Sequence, residues 1–206
     1  MDDSDKIDKV KSWLGSGSIN IFGPPFAGKD TQGTRLSKEL DAVLLSGGAI
    51  LRGSNMPNHV KDLMRTGQLI PTNDYFDLVL PYLKQDKFVD KPLVLSSVGR
   101  WHGEEAGVLE STSASGHPIM AVIYLNINDR VVWNRWEHSD SIRLTANRAD
   151  DAYESLQVRL EEFRDKTMPV IDFYRSQDLL IEMDSDRPTD TVTKAIIGSL
   201  VEFMDR

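Results

Sequence analysis

Polar and apolar residues alternate along Ser18-Ile19-Asn20-Ile21-Phe22, and strand-forming runs recur at 42–45, 92–96, 120–125 and 179–184. In most of the gaps the spacing lengthens to that of a helix. Leu36 and Leu40 share one helical face, and Tyr75, Phe76, Leu78, Val79, Tyr82 and Leu83 mark a second amphipathic helix. Leu156, Leu160 and Phe163 mark a long third, and Val192, Ala195, Ile196, Leu200 and Phe203 a fourth. These stripes are read as core. Strands separated by helices predict a five-stranded parallel sheet with helices on both faces. The opening segment carries Ile7, Val10, Trp13 and Leu14 on one face before Gly15-Ser16-Gly17. It reads as a helical extension, residues 1–17, docked on a single domain spanning 18–206.

The first strand hands over to its helix through Gly23-Pro24-Pro25-Phe26-Ala27-Gly28-Lys29-Asp30-Thr31-Gln32, which has the G-x-x-x-x-G-K spacing of a phosphate-binding loop. At that junction the first amide N–H groups of the helix lack intrahelical partners and the helix dipole presents its positive end. Polyphosphate suits such a site, and Lys29 adds a point charge for the outer phosphates.

Composition narrows the chemistry. The 206 residues are 40% hydrophobic and 27% charged, ordinary for one α/β domain. There is no cysteine, and the four histidines are scattered, so a metal would be bound through oxygen and zinc is not expected. No apolar run approaches the roughly 20 residues that span a bilayer, and the N-terminus is acidic, so a cytoplasmic location is expected. A net charge of −8 argues against nucleic-acid or anionic-membrane partners, leaving local arginines to hold anionic ligands.

Further segments follow the loop in order: Ser46-Gly47-Gly48-Ala49-Ile50-Leu51-Arg52, Gly67-Gln68-Leu69-Ile70-Pro71, Arg100 past the third strand, and Arg148-Ala149-Asp150-Asp151 with Arg159-Leu160. Thr167-x-Pro169 and Phe173-Tyr174 complete the series. In this order the chain from Ser18 to about Met204 resembles the adenylate kinase and nucleoside monophosphate kinase family. The resemblance implies a P-loop three-layer α/β fold and transfer of the γ-phosphoryl of ATP to a nucleoside monophosphate, AMP first among them. By similarity Gly23, Pro24, Pro25, Ala27, Gly28, Lys29, Asp30 and Thr31 surround the ATP phosphates, and Arg135 stacks on the ATP base. Ser46, Gly47, Arg52, Gln68, Leu69, Ile70, Arg100 and Glu104 would receive the monophosphate. Lys29, Arg100, Arg148 and Arg159 would act on the transferring group, with Mg²⁺ accompanying ATP. A segment at about 46–73 and a short lid at about 136–147 would close over the substrates, and a monomer is expected.

The chain departs from the family pattern at several points. Phe26 and Asp30 stand where glycine is usual, and Phe26 is expected to point away from the nucleotide. Ser96 replaces the strand-end aspartate that orients the Mg²⁺ shell, while Asp30 occupies the position that in P-loop proteins carries the metal-touching hydroxyl. One expectation is that the carboxylate has moved from strand to loop as a metal ligand; the rival is that Asp30 only stabilises the helix N-terminus. Gly47 replaces a threonine near the acceptor base. Glu104 replaces a base-reading glutamine, which favours a base rich in N–H donors such as guanine or cytosine, unless Glu104 is a solvated helix-start residue. Ser139 stands where a further arginine is usual, with Arg143 in the lid as its substitute. So short a lid is expected to admit water and permit some ATP hydrolysis. The alternatives are a UMP/CMP or other (deoxy)nucleoside monophosphate kinase, a P-loop ATPase, and a degenerate nucleotide-binding module.

Overall fold

The computed structural model describes residues 2–139 and 153–206. Helix α1 (Asp3–Leu14) precedes strand β1 (Ser18–Phe22), which leads through the glycine-rich loop into α2 (Lys29–Glu39) and β2 (Val43–Ser46). Helices α3 (Gly47–Gly53), α4 (Asn58–Arg65) and α5 (Thr72–Val79) come before β3 (Leu93–Ser96). Then follow α6 (Glu105–Ala114), β4 (Ile119–Asn126), α7 (Asp129–Glu137), α8 (Tyr153–Glu162), α9 (Met168–Ser176), β5 (Leu180–Asp184) and α10 (Thr189–Met204). The strands form one parallel sheet in the order β2-β3-β1-β4-β5. Each strand expected from the alternation is present, with ends shifted by a residue or so.

Both faces of the sheet are covered, which is why β1 is buried at every position despite its alternating sequence. On one face Ile19, Ile21, Leu36, Ile123, Leu156 and Ile196 share a core; on the other Phe22, Leu93, Leu95, Val122, Val170 and Tyr174 share a second. Helix α1 starts with a reciprocal Asp2–Asp5 capping box and buries Val10 and Leu14. It is fastened to α10 by an edge-to-face Trp13–Phe203 contact and by ion pairs from Lys9 to Asp205 and from Lys194 to Asp3. None of the helices among the described residues is long and apolar enough to cross a membrane.

Two helices differ from expectation. The stripe from Tyr75 to Leu83 is not one helix: α5 ends at Val79 and a tighter 3-10 segment runs Leu80–Lys84, because Pro81 lacks the amide hydrogen and has a ring that obstructs the preceding turn. The long helix after residue 150 is interrupted by a π-helical turn, Phe163–Thr167. Strand order matters for function. Because β2, β3 and β1 are neighbours and parallel, their C-terminal ends deliver the loops after Phe22, Ser46 and Ser96 to one edge of the sheet.

The two cores predict contrasting stability effects. Leu36→Ala empties fully buried volume and is expected to cost about 2–5 kcal/mol. The Tyr174 hydroxyl is buried without a hydrogen-bond partner among the described residues, so Tyr174→Phe is expected to be neutral or stabilising by about 1 kcal/mol. Urea unfolding of the two variants checks both signs.

Candidate active site

The phosphate loop turns sharply by placing Phe26 (φ 59°) and Gly28 (φ 91°) in the left-handed region just before α2 begins at Lys29. Gly28 suits that conformation, whereas Phe26 adopts it at a steric cost. The Phe26 side chain packs against the first core and its carbonyl accepts from Arg135 Nη1 at 3.1 Å. Lys29 folds back over the loop and its Nζ donates to the carbonyls of Gly23 and Pro24, both at 2.8 Å. Its charge is thereby centred on the turn. At the start of α2, Asp30 Oδ1 accepts from Ser96 Oγ at 3.1 Å, joining the helix to the end of β3.

The loop faces a cavity of about 430 Å³ whose far wall is built from the segments after β2 and β3. Ser97 (φ 56°) and Gly99 (φ 74°) shape the turn after β3, and buried Asn20 bridges to it, donating to the Val98 carbonyl and accepting the Val98 N–H. Glu104 then accepts the N–H groups of Arg100 at 2.8 Å and Trp101 at 3.0 Å, while Thr167 Oγ1 donates to the Arg100 carbonyl at 2.9 Å. Arg100 is thus held by its own backbone from both sides. The π turn contributes directly, since it carries both Thr167 and Lys166, whose ammonium lies 4.0 Å from the centroid of the Trp101 ring. π turns recur at functional sites.

Helix α8 grips the segment after α4. A β-carbon at Gly67 (φ 84°) would come within 2.5 Å of the Ser155 carbonyl, so this close approach needs glycine twice over. Ser155 Oγ donates to the Arg65 carbonyl, and the Leu69 N–H donates to Glu162 Oε2, which also pairs with Lys166 at 2.7 Å.

Of the residues expected at the site, Pro25, Gly28, Lys29, Asp30, Thr31, Ser46, Gly47, Arg52, Gln68, Leu69, Ile70, Arg100, Glu104 and Arg159 line this one cavity. Gly23, Pro24 and Ala27 are buried behind the loop. Arg135 is tied by Nη1 to Phe26 and by Nη2 to the Ser185 carbonyl at 2.7 Å, joining the loop to the end of β5. Arg143, Arg148 and most of the expected lid lie outside the described residues. The idea of Glu104 as a solvated helix-start residue is corrected: it is 2% exposed and engaged by two amides. Sequence reasoning missed Tyr75, Trp101, Ser97 and Met64 in the cavity wall. Tyr75 had been absorbed into the apolar stripe of its helix, and only its polar tip distinguishes it.

Burial in the cleft wall, and next the nearby Arg159 guanidinium, pull Arg100 down to about 10. Arg100 and Arg159 thus place two like charges on the cavity that Lys29 also lines, an arrangement that a phosphate dianion relieves.

The comparisons with known proteins agree with this geometry. The family model described as adenylate kinase matches residues 21–179. The chain belongs to the adenylate kinase family. An adenylate kinase of Deinococcus radiodurans is 30% identical over 193 residues, covering 88% of this chain and 95% of that protein. An adenylate kinase of Parvibaculum lavamentivorans is 28% identical over 181 residues, covering 85% and 88%. A uridylate kinase of Schizosaccharomyces pombe is 28% identical over 195 residues, covering 90% and 98%. As a member of the adenylate kinase family the chain is an ATP-dependent nucleoside monophosphate kinase.

Glu162 should matter through position alone. Glu162→Ala frees the Leu69 amide and Lys166 together, and the expected result is an acceptor KM raised about tenfold with kcat little changed, since one charge-assisted hydrogen bond is worth about 1.5–3 kcal/mol at most. Steady-state kinetics with varied acceptor checks it.

Proposed function

We propose that the chain catalyses ATP + AMP = 2 ADP, with the donor phosphates on the glycine-rich loop and the acceptor phosphate between Arg52, Arg100 and Arg159. The observation that carries this reading is the convergence of Lys29, Arg100 and Arg159 on one cavity between the loop and the Gln68–Ile70 segment. Two anions must be brought into contact for transfer, and their repulsion is the principal obstacle. Fixed cations oppose it: Lys29 takes the charge that gathers on the transferring group, and the arginine forks bind phosphate oxygens through paired N–H bonds. No side chain needs to act as nucleophile; positioning and electrostatic stabilisation suffice. Arg135 stiffens the loop through its two carbonyl contacts and offers its flat face to the ATP base. Arg148, and Arg143 in the short lid, would complete the charge around the phosphates on the strength of the family resemblance.

Magnesium fits the donor set. Asp30 presents a carboxylate at the mouth of the loop and Ser96 holds one of its oxygens, which supports a hard-oxygen role for Asp30 in place of the missing strand-end carboxylate. When bound with ATP, the ion neutralises charge on the β- and γ-phosphates. We further propose a cytoplasmic monomer in which the segment at about 46–73 and the short lid at about 136–147 close on the substrates.

A panel of ATP with each nucleoside monophosphate tests the activity, with ADP formation from AMP expected and acceptor-independent ATP hydrolysis as the contrary result. Arg100→Ala is expected to lower kcat/KM about 10²–10³-fold. Asp30→Asn should reduce the rate and weaken Mg²⁺ dependence well beyond Ser96→Ala, measured by Mg²⁺ titration at fixed ATP; equal and small effects return Asp30 to the helix-end role.

A further inference from the structure

Gly47 and Tyr75 are complementary in space. A β-carbon at Gly47 would lie 3.1 Å from Tyr75 Oη and 3.0 Å from the Ser97 carbonyl, so the missing side chain at 47 is the room that the phenol oxygen occupies. Both residues line the cavity beside Ile70, Ser97 and Glu104. Tyr75 is 5% exposed, and Oη accepts the Gly99 N–H at 2.9 Å. A phenol that accepts still has one proton to donate, and that is the only hydrogen bond the hydroxyl makes among the described residues. Burial pushes the phenol up, out of the physiological range, so it stays a donor.

Glu104 is the complementary partner. Its Oε2 takes the Arg100 and Trp101 amides, and Thr72 adds a hydroxyl donor, which uses three of the roughly four lone-pair positions of a carboxylate. It can accept once more.

We propose that Tyr75 and Glu104 together read the acceptor base, the phenol donating to a ring nitrogen and the carboxylate accepting from the exocyclic amino group beside it. The inference rests on the kinase reading above and deepens it. A single amide side chain offers a donor and an acceptor on one group; here the two functions are divided between an α5 residue and the residue preceding α6. The pair matches adenine, whose N1 accepts and whose amino group donates. Cytosine presents the same order closer to its sugar and so reaches less well. Guanine and uracil present a carbonyl beside an N–H, which sets acceptor against acceptor at Glu104 and donor against donor at Tyr75. This replaces the preference for guanine or cytosine expected from Glu104 alone, because the donor at Tyr75 settles which donor-rich base is accepted.

The test is steady-state transfer from Mg·ATP by the full chain to AMP, CMP, GMP, UMP and 1-deazaadenosine 5′-monophosphate, in which a C–H replaces the N1 acceptor. AMP is expected to exceed GMP and UMP in kcat/KM by about 100-fold or more, with CMP between. The 1-deaza compound should be about tenfold poorer than AMP, the worth of one hydrogen bond. Tyr75→Phe should lower AMP by the same factor and leave the 1-deaza compound unchanged, a coupling that a structural role for the phenol does not produce. Glu104→Gln, able to donate as well as accept, should narrow the gap between AMP and UMP. Equal use of AMP and 1-deaza-AMP by the unaltered chain, or additive losses in Tyr75→Phe, overturns the base reading. So does transfer to UMP or GMP as fast as to AMP, which leaves the kinase itself standing. Transfer to no acceptor removes both.

Discussion

The repulsion between the Arg100 and Arg159 guanidinium groups is the constraint on which the rest of the site depends. Two like charges facing one cleft are unfavourable for folding, and the remainder of the protein must hold them there. Part of that hold comes through the backbone around Arg100. Glu104 takes the Arg100 amide, Thr167 takes its carbonyl, and Asn20 fixes the turn that precedes it.

The same economy appears at the phosphate loop. Lys29 rests on two carbonyls of its own turn, Arg135 ties that turn to β5, and Asp30 is braced by Ser96. Sheet order makes these contacts possible, because β3 lies between β1 and β2 and brings Ser96 to the first turn of α2. The phosphate loop and the turn after β3 therefore share a wall. Displacing β3 would disturb both at once, whereas β5 at the far edge meets the loop through Arg135 and Ser185.

Much of this was legible in the sequence. The strands and the phosphate loop carry local signals, since alternation and G-x-x-x-x-G-K spacing depend on neighbours along the chain. The order of the cationic residues pointed to Lys29, Arg52, Arg100 and Arg159, which line one cavity. What escaped was set by distant packing. Whether Glu104 is solvated or buried depends on where the 97–104 turn folds, and Tyr75 is indistinguishable from a core residue until its hydroxyl is seen beside Gly47. The break at Pro81 had a visible cause, whereas the π turn at Phe163–Thr167 did not, because its 3.6-residue apolar period runs through Leu156, Leu160 and Phe163 unchanged.

That π turn has a mechanical consequence. It accommodates one residue more than an α-helical path over the same rise would, and each residue of an α-helix corresponds to a rotation of about 100°. Winding the same residues as an unbroken α-helix would fuse α8 and α9 into one rod but spin α9 by about that angle relative to α8. Tyr174 would leave its place against Phe22 while Glu162 kept its hold on Leu69. The wide turn thus works like a phase shifter between two coaxial shafts, one indexed to the nucleotide cleft and the other to the underside of the sheet.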